Sequence, residues 1–219
     1  MKKINIAIDG PSGAGKSTIS DILAKKLGYI HLDTGAMYRT VAYKALEKGL
    51  TMTDEENVVK LISTLDFKQT EDGHIICNGI DISKEIRENN ISMAASDVSK
   101  LLGVRKALVA LQQKIAEDKG YILDGRDICE VVLPDAEVKL FMTASPEKRA
   151  IRRVEQNKEK GIEADYNEIL EDIKKRDYQD SHRENSPLHK TDDATLVDSS
   201  DMTLEETADF VFNIVSKKL

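Results

Sequence analysis

Residues 4–27 read INIAIDGPSGAGKSTISDILAKKL, and the fold follows from how this stretch is parsed. Gly10, Gly15, Lys16 and Ser17 occupy the fixed positions of the pattern G-x-x-x-x-G-K-[ST], a phosphate-binding loop. Ile4, Ile6 and Ile8 before it belong to a short β-branched run that reads as a buried strand. Ile19, Ile22, Leu23 and Leu27 after it fall on one face of a helix. A glycine-rich turn between strand and helix aims successive backbone N–H groups, and the positive end of the helix dipole, at one point. Gly10, Pro11, Ser12, Gly13, Ala14, Gly15, Lys16, Ser17 and Thr18 are therefore expected to wrap the phosphates of a nucleoside triphosphate such as ATP. Lys16 would reach the β- and γ-phosphates, and the Ser17 hydroxyl would ligate Mg2+.

Working outward, 219 residues suffice for one core with small inserts. A hydrophobic fraction of 40% with four prolines and no low-complexity tract describes a globular chain. The net charge of −7 argues against a broad nucleic-acid or anionic-membrane surface, so basic residues at a site must act as local clusters. Cys77 and Cys129 form no CxxC pattern and are expected as reduced thiols in a cytoplasmic protein. His31, His74, His182 and His189 lack metal-ligand spacing. The N-terminus has no secretory signature and no run is apolar enough for a membrane span. A monomer with no internal repeat is expected.

Past the first helix, YIHLDTG is a short strand delivering Asp33 and Thr34, and residues 34–49 a helix stopped at Gly49. Another helix should run from Asp54 to about Leu65. Residues 66–83 alternate in polarity around Asp72-Gly73 and Asn78-Gly79, two turn signals that predict a small antiparallel insert. Helices over about 91–101 and 104–117 follow. YILDGRD, VKLFMTA and ATLVDS read as further core strands. Between the last two lie two charged helices, one starting at Ser145-Pro146 and the other covering about 166–176, with Ser186-Pro187 ending that helix. Thr203 and Glu206 form a capping box for a final helix carrying Leu204, Ala208, Val211, Phe212 and Val215. Strands alternating with helices call for right-handed crossovers and a parallel sheet. Ligands of such sheets sit at the carboxyl ends of the strands, where Gly10, Asp33 and Asp124 would all emerge.

Asp124 closes a hydrophobic strand, where phosphate-loop enzymes keep an acid that helps hold Mg2+ through its water shell; a plain turn aspartate would occupy the same position. Arg126 and Asp127 follow it, suited either to a bidentate phosphate contact or to a surface ion pair. Arg149, Arg152 and Arg153 share one helix face. By spacing alone that face is simply solvated, but an arginine beside a transferring phosphoryl group can be worth about a thousandfold in rate. The polar segment around Gly161 has the composition of a mobile lid.

Taken in order, GPSGAGKST, DTGAMYR (33–39), the insert, AASDVSKLLGVR (94–105), DGRD (124–127), RAIRR (149–153) and RDYQDSHR (176–183) resemble bacterial cytidylate kinases from about residue 4 to the last helix. The resemblance implies transfer of the ATP γ-phosphoryl group to CMP or dCMP with Mg2+, and an α/β fold. That fold is a phosphate-loop NTPase-type five-stranded parallel sheet flanked by helices, with a small antiparallel insert and a helical lid. It implies a single kinase domain: core about 1–60, 84–145 and 186–219, nucleotide-monophosphate insert about 61–83, lid about 149–185. By position, Thr34, Tyr38, Arg39, Gly125 and Arg126 would hold the acceptor, the two arginines facing its phosphate. Ser96, Arg105 and Asp127 would read cytosine; Arg176 and Asp180 would face the sugar, with Arg183 in the same pocket. Lys16, Arg126, Arg149 and Arg153 would serve catalysis, and Ser17 and Asp124 the metal, the latter through water. Gln179 and Ser181 stand where some relatives carry further arginines.

Three rivals are tested by the same residues. A related phosphate-loop kinase would prefer UMP or a non-nucleotide alcohol. A GTP switch needs Asn-Lys-x-Asp to read guanine; Asn157-Lys158-Glu159-Lys160 ends in lysine instead. A structural ATP-binding module would have no use for the arginines.

Overall fold

The computed structural model describes residues 3–70, 72–159 and 161–219; Lys160, where the guanine-reader match ends, lies outside them. In chain order the elements are β1 (Ile6–Asp9), α1 (Lys16–Leu27), β2 (Ile30–Asp33), α2 (Thr34–Glu47), α3 (Glu55–Ile62), β3 (Phe67–Gln69), β4 (Ile75–Cys77) and β5 (Ile80–Asp81). Then follow α4 (Asn89–Val98), α5 (Leu102–Ile115), β6 (Tyr121–Gly125), β7 (Val138–Thr143), α6 (Pro146–Glu159), α7 (Tyr166–His182), β8 (Thr195–Asp198) and α8 (Leu204–Ser216). The main sheet has five strands in the order β2-β6-β1-β7-β8. β1 pairs in parallel with β6 (Asp9 opposite Gly125) and with β7 (Asp9 opposite Phe141), and β7 pairs in parallel with β8. This is the expected α/β architecture. Packing divides the chain into two compact units, Met1–Tyr29 with Gly120–Leu219, and Ile30–Lys119.

In the first unit, the β-branched run read as a buried strand packs Ile6 and Ile8 of β1 against Ile19 and Leu23 of α1, Ile122, Leu140, Met142, Val197, and Val211 and Val215 of α8. Each such side chain withdrawn from water contributes about 1.5–3 kcal/mol, which holds the strands whose ends carry the polar residues. α1 begins after Gly15, whose φ of 90° no β-carbon-bearing residue adopts cheaply, and no side chain caps it. α8 has the predicted capping box: Thr203 Oγ1 accepts from the Glu206 N–H at 3.2 Å and Glu206 Oε2 from the Thr203 N–H at 2.8 Å.

In the second unit, Ala36, Ile75, Cys77, Ile82, Ile86 and Ile91 form a buried hydrophobic cluster. The antiparallel insert is β3-β4-β5. Asn78 and Gly79 both have positive φ, 51° and 80°, as a two-residue hairpin turn between right-twisted strands requires. α5 has no cap of its own; Glu55 of α3 accepts from the Gly103 N–H there. Cys77 and Cys129 are free and buried. No described helix is long and apolar enough to cross a membrane.

Two helix ends depart from the expectation, and one turn is new. α7 continues past residue 176 to His182, short of Ser186-Pro187, and its Ser181 Oγ donates to the Asp177 carbonyl at 2.7 Å. α3 stops at Ile62, short of Leu65. A single π-helical turn, Ile128–Val132, follows β6, in a stretch to which the spacing assigned no element.

Candidate active site

In the first unit the phosphate loop joins β1 to α1. Gly10 is held against β7 so closely that a β-carbon there would stand 1.9 Å from the Met142 carbonyl oxygen, which excludes any other residue. Lys16 is buried and donates from Nζ to the carbonyls of Gly10 and Pro11, 2.8 Å each. Burial, with the Arg126 charge adding to it, lowers its pKa to about 7 against the pull of Asp124, Asp9 and Asp180. The Ser17 hydroxyl donates to Asp124 Oδ2 at 3.1 Å, so the strand-end aspartate is beside the loop. Ser17 with Asp124 is a pair of hard oxygen donors. Among the described residues no cluster of three or more His, Cys, Asp or Glu could cage a metal. A cation here would take its other ligands from phosphate and water, the habit of Mg2+.

The exit of β6 carries Gly125, Arg126 and Asp127. Arg126 Nε donates to Asp180 Oδ2 at 2.7 Å. Burial raises the Asp180 pKa, but Arg126 first, then Arg176 and Arg183, overcome it and hold the carboxyl below the usual range. Arg183 Nε donates to the Ser186 carbonyl at 2.7 Å. Residues 126, 176, 180 and 183 are thus brought together.

The helix-face arginines separate. Arg149 is buried and donates to the Ala144 carbonyl (2.8 Å) and the Ser12 carbonyl (3.0 Å), while its two Nη atoms grip the Asp177 carboxylate. Arg152 donates to Ser199 Oγ at 3.2 Å and to the Ser199 carbonyl at 2.5 Å. Arg153 is exposed. A shared face therefore presents three guanidinium groups in three different settings.

In the second unit Asp33 caps α2, accepting from the Ala36 N–H at 2.9 Å, and pairs with Arg39 Nη2 at 2.9 Å. Burial opposes ionisation, but the Arg39 charge and the Ala36 N–H lower its pKa overall. The buried Arg39 Nε has no hydrogen-bond partner among the described residues. Thr34 is buried at the first position of α2, and Tyr38 is half-buried one turn on. At the end of α4, Ser99 accepts from Arg105 Nη1 on its carbonyl (3.2 Å) and donates from its own hydroxyl to the Ser96 carbonyl (2.8 Å). Ser96 and Arg105 are therefore gathered around one residue.

Three polar partners were not read as site residues. Asp177 and Ser199 hold Arg149 and Arg152. Asp9, 1% exposed, accepts from the Ile128 and Cys129 N–H groups at 2.8 Å each. Burial pushes its carboxyl up despite those donors. Its signal was visible: like Asp33 and Asp124, Asp9 is an aspartate closing an apolar strand.

A family model described as "Cytidylate kinase" matches residues 6–217. A cytidylate kinase of Caldicellulosiruptor saccharolyticus is 49% identical over 220 residues, covering 99% of this chain and 97% of that protein. Cytidylate kinases of Enterococcus faecalis and Bacillus subtilis are 46% and 44% identical, covering 100% and 99% of this chain and 98% of each of those. Among solved structures, an uncharacterized protein from Eubacterium ventriosum superposes with a TM-score of 0.57 at 13% identity, covering 98% of this chain and 99% of that one, a likeness of fold alone.

Proposed function

This chain belongs to the cytidylate kinase family, whose members phosphorylate CMP and dCMP, and from that premise we propose how its residues divide the work. ATP is the donor, CDP or dCDP and ADP the products. Residues 10–18 hold the ATP phosphates, with Lys16 turning from its two carbonyl partners to the β- and γ-oxygens. Ser17 and Asp124 hold Mg2+, the aspartate through water; when bound, the ion neutralises phosphate charge. Supporting this is the placement of the Ser17 hydroxyl on Asp124 at the ends of β1 and β6, the observation that carries the reading.

The acceptor phosphate is already anionic, so no strong general base is needed and no covalent intermediate is invoked; positioning and positive charge carry the transfer. Arg39 and Arg126 face the acceptor phosphate, with Thr34, Tyr38 and Gly125 beside it. Ser96, Arg105 and Asp127 read cytosine, whose amino group donates where uracil has a carbonyl. Arg176, Asp180 and Arg183 line the sugar side. Arg149 and Arg153 bring charge to the transferred group from a lid over about 149–185, which keeps water from taking the phosphoryl group. The insert over about 61–83 belongs to acceptor binding. The enzyme acts in pyrimidine nucleotide metabolism in the cytoplasm, as a monomer without nucleic-acid or membrane partners; its net charge of −7 and free thiols agree with this.

The test is initial rates with ATP, Mg2+ and CMP, dCMP or UMP. CDP formation with CMP preferred over UMP is expected, and a UMP preference overturns the assignment. Asp127→Ala should erode the CMP-over-UMP preference by about tenfold, the scale of one buried unpaired group, while the KM for ATP changes little.

A further inference from the structure

Asp9 is a buried carboxylate that the division of labour above leaves without a task. It is the last residue of β1, and its backbone lies opposite Gly125 of β6 in the parallel register. Its side chain reaches the same neighbouring chain three and four residues later: Oδ1 accepts from the Ile128 N–H and Oδ2 from the Cys129 N–H, both at 2.8 Å. Arg126 and Asp127 are the two residues between these attachments. One residue therefore anchors both ends of the short segment that carries them.

The far anchor is a helical start in its own right. The Asp127 carbonyl accepts from the Val132 N–H at 3.3 Å and the Ile128 carbonyl from the Leu133 N–H at 2.8 Å, closing the π-helical turn. The Ile128 and Cys129 N–H groups are the unpaired donors that open such a turn. A carboxylate satisfies both, where a hydroxyl offers a single oxygen. On the other side of Asp9 the chain passes into Gly10, pinned against Met142. The start of the phosphate loop and the segment bearing Arg126 and Asp127 are thus referenced to a single, fully buried side chain.

The geometry points to Asp9 as a positioning residue for the acceptor: it sets where the Arg126 and Asp127 side chains stand, without touching substrate. This rests on the assignment of those two residues to CMP. A carboxylate bonded directly to the end of the acceptor segment by two hydrogen bonds should affect recognition of the acceptor more than that of the donor.

Asp9→Asn tests it, because the amide keeps the size but turns an N–H donor toward one of the two backbone N–H groups. The expected result is a rise of about tenfold in KM for CMP and a matching loss of CMP-over-UMP preference, with KM for ATP changed less than twofold. An equal loss with both acceptors, or a rise confined to KM for ATP, would place the effect on Lys16 instead and overturn the proposal. So would kinetics unchanged from the native enzyme. Asp9→Glu, which keeps both oxygens and the charge but lengthens the arm, should shift the same acceptor parameters. If circular dichroism finds neither variant folded, Asp9 is a structural residue only and the proposal fails. Asp127→Ala runs alongside: if it leaves the CMP-over-UMP ratio untouched, the acceptor assignment itself is wrong. If it alters the ratio while the Asp9 variants do not, only the positioning role falls.

Discussion

Asp180 illustrates how single residues combine structure with function here. It is buried, accepts from Arg126, and is held ionised by Arg126, Arg176 and Arg183 against its own desolvation. A folded-state pKa below the unfolded value of about 3.9 means that its stabilisation is fully present above that pH. It is lost as pH falls through the folded-state value. Asp180→Asn should therefore cost about 1–3 kcal/mol at neutral pH, the worth of a hydrogen bond to a charged group. Thermal melts of the two proteins should converge as pH is lowered below about 3.9; a gap that stays constant would contradict the ionised pairing. Asp180 was read as a site residue through the family resemblance alone. Its grip on Arg126 was not, since residues 54 positions apart in the chain carry no local mark of contact.

At the scale of elements, local chemistry set most of the boundaries. The capping box at Thr203 and Glu206 and the Asn78-Gly79 turn were readable because each works through backbone groups within a few residues. Thr203→Ala should remove the cap of α8 and cost about 1 kcal/mol, lowering Tm by about 2–4 °C. The specific activity of the folded enzyme should not change, and calorimetry with an activity assay checks both. The Ile128–Val132 turn went unread for the opposite reason: it is opened by a carboxylate from β1. The three arginines of α6 belong here too. Their common face was predicted correctly, yet Ser12, Asp177 and Ser199, which no helical periodicity can reveal, decide what each does.

For the molecule as a whole, fold and chemistry reside in different atoms. The core of Ile6, Ile8, Leu23, Leu140 and Val211 does not include Lys16, whose amine donates to the carbonyls of its own loop. Lys16→Ala should accordingly abolish nearly all turnover, a loss of about a thousandfold or more for a charge on the transferring phosphoryl group. The circular dichroism spectrum and CMP binding measured by calorimetry should be retained. Loss of the fold would show that the loop is part of the scaffold. The sequence alone determined the phosphate loop, the alternation of strands and helices, the antiparallel insert and the family, because these depend on spacing along the chain and on backbone conformations that particular residues permit. Only the tertiary structure decided the strand order β2-β6-β1-β7-β8, the setting of each arginine, and the clasp of Asp9 on the start of the Ile128–Val132 turn. Those are matters of which buried charge meets which distant donor, and burial makes each unmet partner too costly for the choice to be left open.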